Sequence, residues 1–408
     1  MPSDPKACRG SSITERTHYT EERYMKRHLT LFYIGAISWL VGCQGPISSQ
    51  EESTPPAGFH LPTSRFSSLF FTATDIRYTS SALYRMDFRT GHVEKTLGGE
   101  SGDPWLLWSL DRLLVANRSH LSNNAFFLDR TTRQPLSQQA TPKLNIQSGV
   151  TLSNGDLLVN DGNSATLVQL HTKTLEVVAR YTAPARLVDQ AELGSDLLRV
   201  QINGTFYILA LTHGLDTSYH ANHAQSLSIW EEDQQARLTW RNSLPLTMSS
   251  PRFLHPAAKG VGILGLCSPS LTNNGCKAGR SWFSFADQAL SATQSFSPQF
   301  WQSYGTAIAG STPHEAFAMV TSSTQPSIRR LVRFFWEPDS FSTMAEEFSM
   351  PLSTQGSPLL LLDTTSHTLF VGNATQNGGT LTLLHSQTQK VLHRMELERI
   401  PYNGALAL

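Results

Sequence analysis

Seven stretches of the chain share one alternation of apolar and polar positions. The clearest are SALYRMDFRTGHVEKTL from Ser81, NAFFLDRTTRQPLSQQ from Asn124 and ATLVQLHTKTLEVVARYT from Ala165. Four later ones follow from Ser226, Ser281, Arg329 and Thr380. Each is a β-rich run, a short polar turn and a second alternating run, which predicts a hairpin. Ahead of these hairpins lies another strand pair split by a tight turn. GVTLSNGDLLVND is one, with Asn154 and Gly155 expected to supply the positive backbone angles of a type I′ turn. PWLLWSLDRLLVAN from Pro104, LVDQAELGSDLLRVQ from Leu187 and PLLLLDTTSHTLFVGN from Pro358 are the others.

Four strands per unit, with turns near Asp87, Asp129, His171, Glu232, Asp287, Asp339 and His385, recur every ~42 to 60 residues, the period of a propeller blade. The two ends complement each other. SSLFFTATDIRYTSSALY begins the first unit one strand short, and PYNGALAL ends the chain one strand long. Pairing Ala405–Leu408 beside the first blade closes the ring and leaves no edge strand open to aggregate. The fold expected is an all-β, seven-bladed β-propeller over residues 67–408. The alternative is an eight-bladed ring in which Leu197–Leu211 forms a hairpin of its own.

This pattern resembles the YVTN and quinoprotein-like β-propellers from about residue 67 onward. Only the first unit keeps the family's Asp, Thr, Gly turn, at Asp87, Thr90 and Gly91. The recurrent tryptophan and Thr-Gly turn of quinone-cofactor propellers are not repeated, so their dehydrogenase chemistry is not carried over and no cofactor is expected.

The segment before the ring sets the compartment. Met25–Cys43, MKRHLTLFYIGAISWLVGC, has a basic start at Lys26 and Arg27 and an apolar middle too short to span a bilayer, the pattern of a secretory signal. Leu40, Val41, Gly42 and Cys43 resemble the lipobox of bacterial lipoproteins, which implies cleavage before Cys43 and diacylation of its thiol. In enteric lipoproteins a glutamine after that cysteine, here Gln44, is similar to the outer-membrane class. Residues 1–24 carry no apolar periodicity and read as an over-called start, with Met25 the initiator. Residues 43–66, rich in Ser, Pro and Glu, cannot bury enough surface to fold. They form a tether of ~25 Å mean reach.

Charge narrows the partners. The 32 basic and 32 acidic residues balance, and no basic block points to nucleic acid. Candidate chemistry is sparse. Cys267 and Cys276 sit in a loop rich in Pro, Asn and Gly, and an exported location permits a disulfide there. His213, Asp216, His220 and His223 are the densest set of metal-ligand types, but without an HExxH pattern a solvated surface loop explains them better, and no metal is assigned. NDGNSAT from Asn160 lacks the acidic positions of a calcium loop and reads as a β-turn. No GxSxG elbow marks a nucleophile, so no catalytic residue is named. The pairs Glu231 with Glu232 and Glu346 with Glu347 are expected to be solvated. Trp105, Trp108, Trp230, Trp240, Trp282, Trp301 and Trp336 are expected to pack between blades. The function expected is a non-catalytic protein-binding or scaffolding module, held at the membrane by lipid on Cys43 and facing an envelope protein partner. A comparable combination of lipoprotein and propeller occurs in the outer-membrane barrel-assembly machinery. The alternative is an envelope enzyme, either a glycan lyase or hydrolase or a quinone-linked oxidoreductase.

Overall fold

The computed structural model describes residues 64–407 except 78, 101–103, 110–111, 118–123, 130–134, 141–143, 162–165, 185–191, 215–224, 249–250, 258, 266–278, 296–306, 310–314, 322–327, 337–342 and 357. The described residues form seven small antiparallel sheets, each a meander from the axis outward. Blade 1 holds β1 (Ser68–Thr74), β2 (Ser81–Asp87) and β3 (Val93–Glu100). Blade 2 is β4 (Pro104–Ser109), β5 (Arg112–Asn117), β6 (Asn124–Asp129) and β7 (Pro135–Ala140). Blade 3 is β8 (Ile146–Thr151), β9 (Leu157–Asp161), β10 (Thr166–Leu170) and β11 (Val177–Thr182). Blade 4 is β12 (Glu192–Ile202), β13 (Thr205–Gly214), β14 (Ser226–Glu232) and β15 (Leu238–Pro245).

Blade 5 comprises β16 (Pro251–Ala257), β17 (Gly260–Gly265), β18 (Gly279–Ser284) and a split outer strand, β19 (Ala289–Leu290) and β20 (Gln294–Ser295). Blade 6 is β21 (Ala307–Ala309), β22 (Glu315–Thr321), β23 (Arg329–Trp336) and β24 (Thr343–Leu352). Blade 7 is β25 (Leu360–Asp363), β26 (Thr368–Thr375), β27 (Gly378–His385) and β28 (Val391–Leu397). The last strand, β29 (Ile400–Ala407), pairs with β1 and becomes the innermost strand of blade 1. The molecule is a seven-bladed β-propeller.

The expected closure is present, and it is longer than Ala405–Leu408. The register runs from Ser68 opposite Ala407 to Thr74 opposite Ile400, with a bulge at Thr72/Ala73. The eight-bladed alternative is excluded, because Leu197–Leu211 falls within β12 and β13, the inner two strands of blade 4. The turn expected within LVDQAELGSDLLRVQ is also corrected. From Glu192 the chain runs on as one strand with a bulge between Gly194 and Leu197.

Stability comes from apolar layers between the blades. In one layer Phe70, Leu83, Ala405 and Ala407 of blade 1 meet Leu106, Leu113 and Phe126 of blade 2. Equivalent layers join blades 2 and 3, 3 and 4, 4 and 5, 6 and 7, and 7 back to 1. In the closing layer Phe71 and Tyr84 stack at 5.3 Å, and Phe88 stacks on Phe370 at 5.5 Å. Strand residues alternate between two faces, so each middle strand serves two such layers and reads as a continuous apolar run. Trp230, buried between blades 3 and 4, behaves as expected of the tryptophans. Trp301 lies outside the described residues.

Local turns follow side-chain chemistry. Asp87 Oδ1 accepts from the Arg89 and Thr90 amides and the Thr90 hydroxyl, and Gly91 at φ 70° completes the turn read from the sequence. The Asn154–Gly155 turn is not type I′. Gly155 alone of the pair has positive φ, at 87°. Its amide bonds to Leu152 O, while the Leu152 amide bonds to Asp156 O. That is a three-residue loop ending in a glycine bulge. Asn154 is held by its side chain, which donates to Asp156 Oδ2 and accepts from the Asp156 amide. Gly155→Val is expected to cost about 1 to 2 kcal/mol, the penalty of a left-handed conformation for an L side chain. Urea unfolding checks it.

Candidate functional site: the hub and the long-loop rim

The innermost strand of each blade leaves one row of backbone N–H and C=O groups without a ladder partner, and buried groups of this kind need partners from elsewhere. Polar side chains of neighbouring blades supply some of them. Asn403 Oδ1 on β29 accepts the Leu106 amide of β4 at 2.8 Å, tying blade 1 to blade 2. Asp196 Oδ2 on β12 accepts the Leu254 amide of β16 at 2.8 Å, tying blade 4 to blade 5. Its Oδ1 accepts the Leu197 amide at 2.9 Å, and the Ser148 hydroxyl of blade 3 approaches the same carboxylate.

Asp196 and Asn403 sit at or beside bulges of their strands, where an extra residue turns a polar side chain toward the hub. In blade 3 the same device is internal. Asn160 Oδ1 accepts the Ser148 amide at 2.9 Å opposite the β8 bulge, and Asp161 Oδ1 accepts the Asn145 amide at 3.1 Å.

Asp196 is half-buried at its surface, yet desolvation by the protein packed around it pushes its carboxyl up from the ordinary 3.8 to about 6, against the lowering effect of the Leu254 and Leu197 amides and Ser148. An acid desolvated this way near the axis is the most perturbed carboxyl among the described residues, and such groups gather at functional sites. The half-buried turn acid Asp75 shows the opposite balance. Desolvation is the largest single influence and raises it, but the bonds from Thr79, Ser80 and Arg77 together outweigh it and bring the carboxyl down to about 2.

One acid corrects the expectation of solvated pairs. The Glu232 carboxylate is fully buried, bonded to Arg199 Nε at 2.6 Å and to the Ser153 amide of blade 3 at 2.6 Å. The Arg199 guanidinium also covers the Phe206 ring at 3.7 Å. Its neighbour Glu231 pairs with exposed Arg241. Glu346 and Glu347 are exposed as expected and face Arg333 and Arg330, while a buried Glu315 also takes Arg333. These are inter-strand and inter-blade clamps.

The meander fixes which connections share a rim. Turns from the first to the second strand and from the third to the fourth lie at one end of the ring, and among them none is longer than 171–176 or 337–342. The connections from second to third strand, and from each blade to the next, lie at the other end. They include 183–191, 215–225, 266–278 and 296–306. The ring therefore has a short-turn rim and a long-loop rim. Phe66 packs into the closing layer, the Ser67 amide bonds to Ala407 O at 2.7 Å, and the Arg65 amide meets Thr365 in the blade 7 turn. The chain thus joins the ring at the short-turn rim.

The residues singled out from the sequence fall on the long-loop rim or outside the described residues. His213 is near the end of β13, and Asp216, His220 and His223 belong to the following connection, outside the described residues. Cys267 and Cys276 lie in 266–278, also outside them, as do Leu40, Val41, Gly42 and Cys43. Among the described residues no three His, Cys, Asp or Glu side chains gather to hold a metal ion. No described helix is long and apolar enough to cross a membrane. Sequence reasoning missed Asp196, Asn403, Glu232 and Glu315. The available signal was a lone polar residue inside an apolar strand, as in GALAL preceded by Asn403.

No family model matches the chain, and no curated protein matches it. Solved structures do. The periplasmic gluconolactonase of Pseudomonas aeruginosa is 15% identical with a TM-score of 0.57, over 84% of this chain and 99% of that one. A protein from Lactobacillus plantarum is 11% identical with a TM-score of 0.58, over 84% and 100% of the two chains. A 6-phosphogluconolactonase candidate from Bacteroides fragilis is 12% identical with a TM-score of 0.58, over 85% and 99%. At these identities the likeness is one of fold, and it extends across almost the whole of each of those chains.

Proposed function

We propose that this chain is a cell-envelope β-propeller, anchored by lipid on Cys43, that binds a protein partner through its long-loop rim. The observation that carries this reading is the separation of connection lengths between the two rims. Long irregular segments are where recognition residues are concentrated on a rigid scaffold. Here the scaffold is tied together at the hub by Asn403 and Asp196. The described chain enters the ring at the short-turn rim, at Phe66 and Ser67, and not at the long-loop rim. Gln44 supports the outer membrane as the site of anchoring, with the body in the periplasm or at the cell surface. Cys267 and Cys276, on the same rim, would pin its longest connection if joined as a disulfide.

Crosslinking in intact cells followed by recovery of the anchored protein tests the reading. A stable protein partner, lost when 215–225 or 266–278 is shortened to a tight turn, is the expected result. Recovery of the chain alone would count against it. For the anchor, Cys43→Ser is expected to abolish fatty-acid labelling and release the protein from the membrane fraction, and unchanged retention would refute the anchor.

A second reading, an envelope enzyme, has one observation in its favour: the desolvated Asp196 carboxyl at the hub. Two of the three structures above carry lactonase descriptions, so hydrolysis of sugar lactones joins the glycan and quinone chemistries as its assay panel. Turnover lost in Asp196→Asn would favour this reading over the first.

A further inference from the structure

The boundary of blades 3 and 4 holds a polar group whose bonding is incomplete. Asn160 is 1% exposed, and its orientation is settled because Oδ1 must face the donating Ser148 amide at 2.9 Å. The Nδ2 hydrogens therefore point away from that bond, and Nδ2 has no hydrogen-bond partner among the described residues. A buried amide donor left so is destabilising and calls for an explanation.

Its surroundings narrow that explanation. Asn160 follows Leu158 by two residues on β9, so the two side chains share a face, and Leu158 packs in the layer against blade 4. Leu167, directly opposite Asn160 on β10, belongs to the same layer, as do Leu152 and Leu197. The polar groups close by are the buried Ser148 hydroxyl, which also lacks a hydrogen bond within normal reach, and the Asp196 carboxyl that Ser148 approaches. Two donors and one acceptor thus neighbour one another at the boundary between blades 3 and 4, Asn160 beside Ser148 and Ser148 beside Asp196.

The geometry points to a hydroxyl-binding site formed by Asn160, Ser148 and Asp196. One neutral hydroxyl oxygen accepts from Asn160 Nδ2 and from the Ser148 hydroxyl, and its hydrogen is donated to the Asp196 carboxylate. A cation is disfavoured by the two donors and an anion by the carboxylate. A group that both gives and takes completes all three. Two sources carry this chemistry: a water molecule, and a hydroxyl of a polyol or sugar reaching the hub. Buried waters make about three such bonds.

Water oxygen-17 relaxation dispersion on the full chain tests the site, since it counts waters held far longer than surface ones. Ser148→Ala removes one donor and leaves every described bond of Asn160 in place. Asn160→Asp keeps the acceptor for the Ser148 amide and removes the other donor. Each folded variant is expected to hold one long-lived water fewer than the wild type. Glycerol and glucose separate the sources. Saturable loss of that water as either is added assigns the site to a ligand hydroxyl, and persistence of the water assigns it to solvent. If the wild type and Ser148→Ala hold equal numbers and neither polyol has a saturable effect, the proposal is overturned.

Discussion

Removing Ile400–Leu408 is expected to abolish cooperative folding of the ring. The segment supplies the inner strand of blade 1, with Ile400, Tyr402, Ala405 and Ala407 buried. Burial of the two large side chains alone is worth roughly 1.5 to 3 kcal/mol each. The truncation also strips the β1 edge of its ladder, leaves the Leu106 amide without Asn403, and opens the apolar layer shared with blade 2. Together these losses are comparable with the ~5 to 15 kcal/mol that holds a whole domain folded. Far-ultraviolet circular dichroism on heating, with limited proteolysis, is the measurement. The truncated chain should show no sharp transition and rapid cleavage. The contrasting experiment joins residue 408 to Ser67 through a short linker and opens the chain at 183–191. Because the Ser67 amide lies 2.7 Å from Ala407 O, this permutant needs no rearrangement and should melt close to the parent. A truncated chain that melts like the parent would show that the ring does not depend on its last strand.

That closure was legible because it is written in strand count. A first unit one strand short and a last unit one strand long leave a single way to complete seven sheets. The blades were legible for a related reason: period-two alternation broken by Asp, Asn and Gly turns reports local backbone geometry, and Asp87, Thr90 and Gly91 fold as they read. Two turns misled. Asn154 offered the dipeptide of a type I′ turn, but its side chain found Asp156 and fixed a longer loop. Gly194 and Asp196 looked like a turn because bulges use the same residue types as turns. The hub was not legible at all. Asn403 with Leu106 and Asp196 with Leu254 are contacts between blades, and sequence periodicity does not say how two sheets are placed across an axis. Glu232 was misread as solvated for the same reason: its partners, Arg199 and the Ser153 amide, come from a distant strand and another blade.

Stability is expected to fall as pH rises from about 4 to about 7 through Asp196, and Asp196→Asn should remove that slope. The carboxyl titrates near the ordinary 3.8 when unfolded and near 6 when folded. Between those values the folded chain holds a proton that the unfolded chain has released, so raising the pH favours unfolding. A shift of this size corresponds to about 3 kcal/mol at most, fully present below pH ~4 and lost above pH ~6. Asp75, Asp87 and Asp363 act in the opposite direction and at lower pH, because bonds in their turns outweigh burial and hold them below 3.8. They remove stability as pH falls toward 2. His393, lowered by desolvation, also loses stability on acidification, near neutrality. The wild-type profile mixes these contributions, and the difference between wild type and Asp196→Asn isolates one. At pH 7 the variant escapes the cost of a buried charge but can accept only one of the Leu254 and Leu197 amides, so the two effects oppose each other and the net change is small. At pH 4.5 only the lost acceptor remains, and the variant should be the less stable by roughly 1 to 3 kcal/mol. Urea unfolding at both pH values reads the difference. Parallel profiles for the two proteins would mean that Asp196 titrates like a solvated carboxyl and that the hub is open to water at this point.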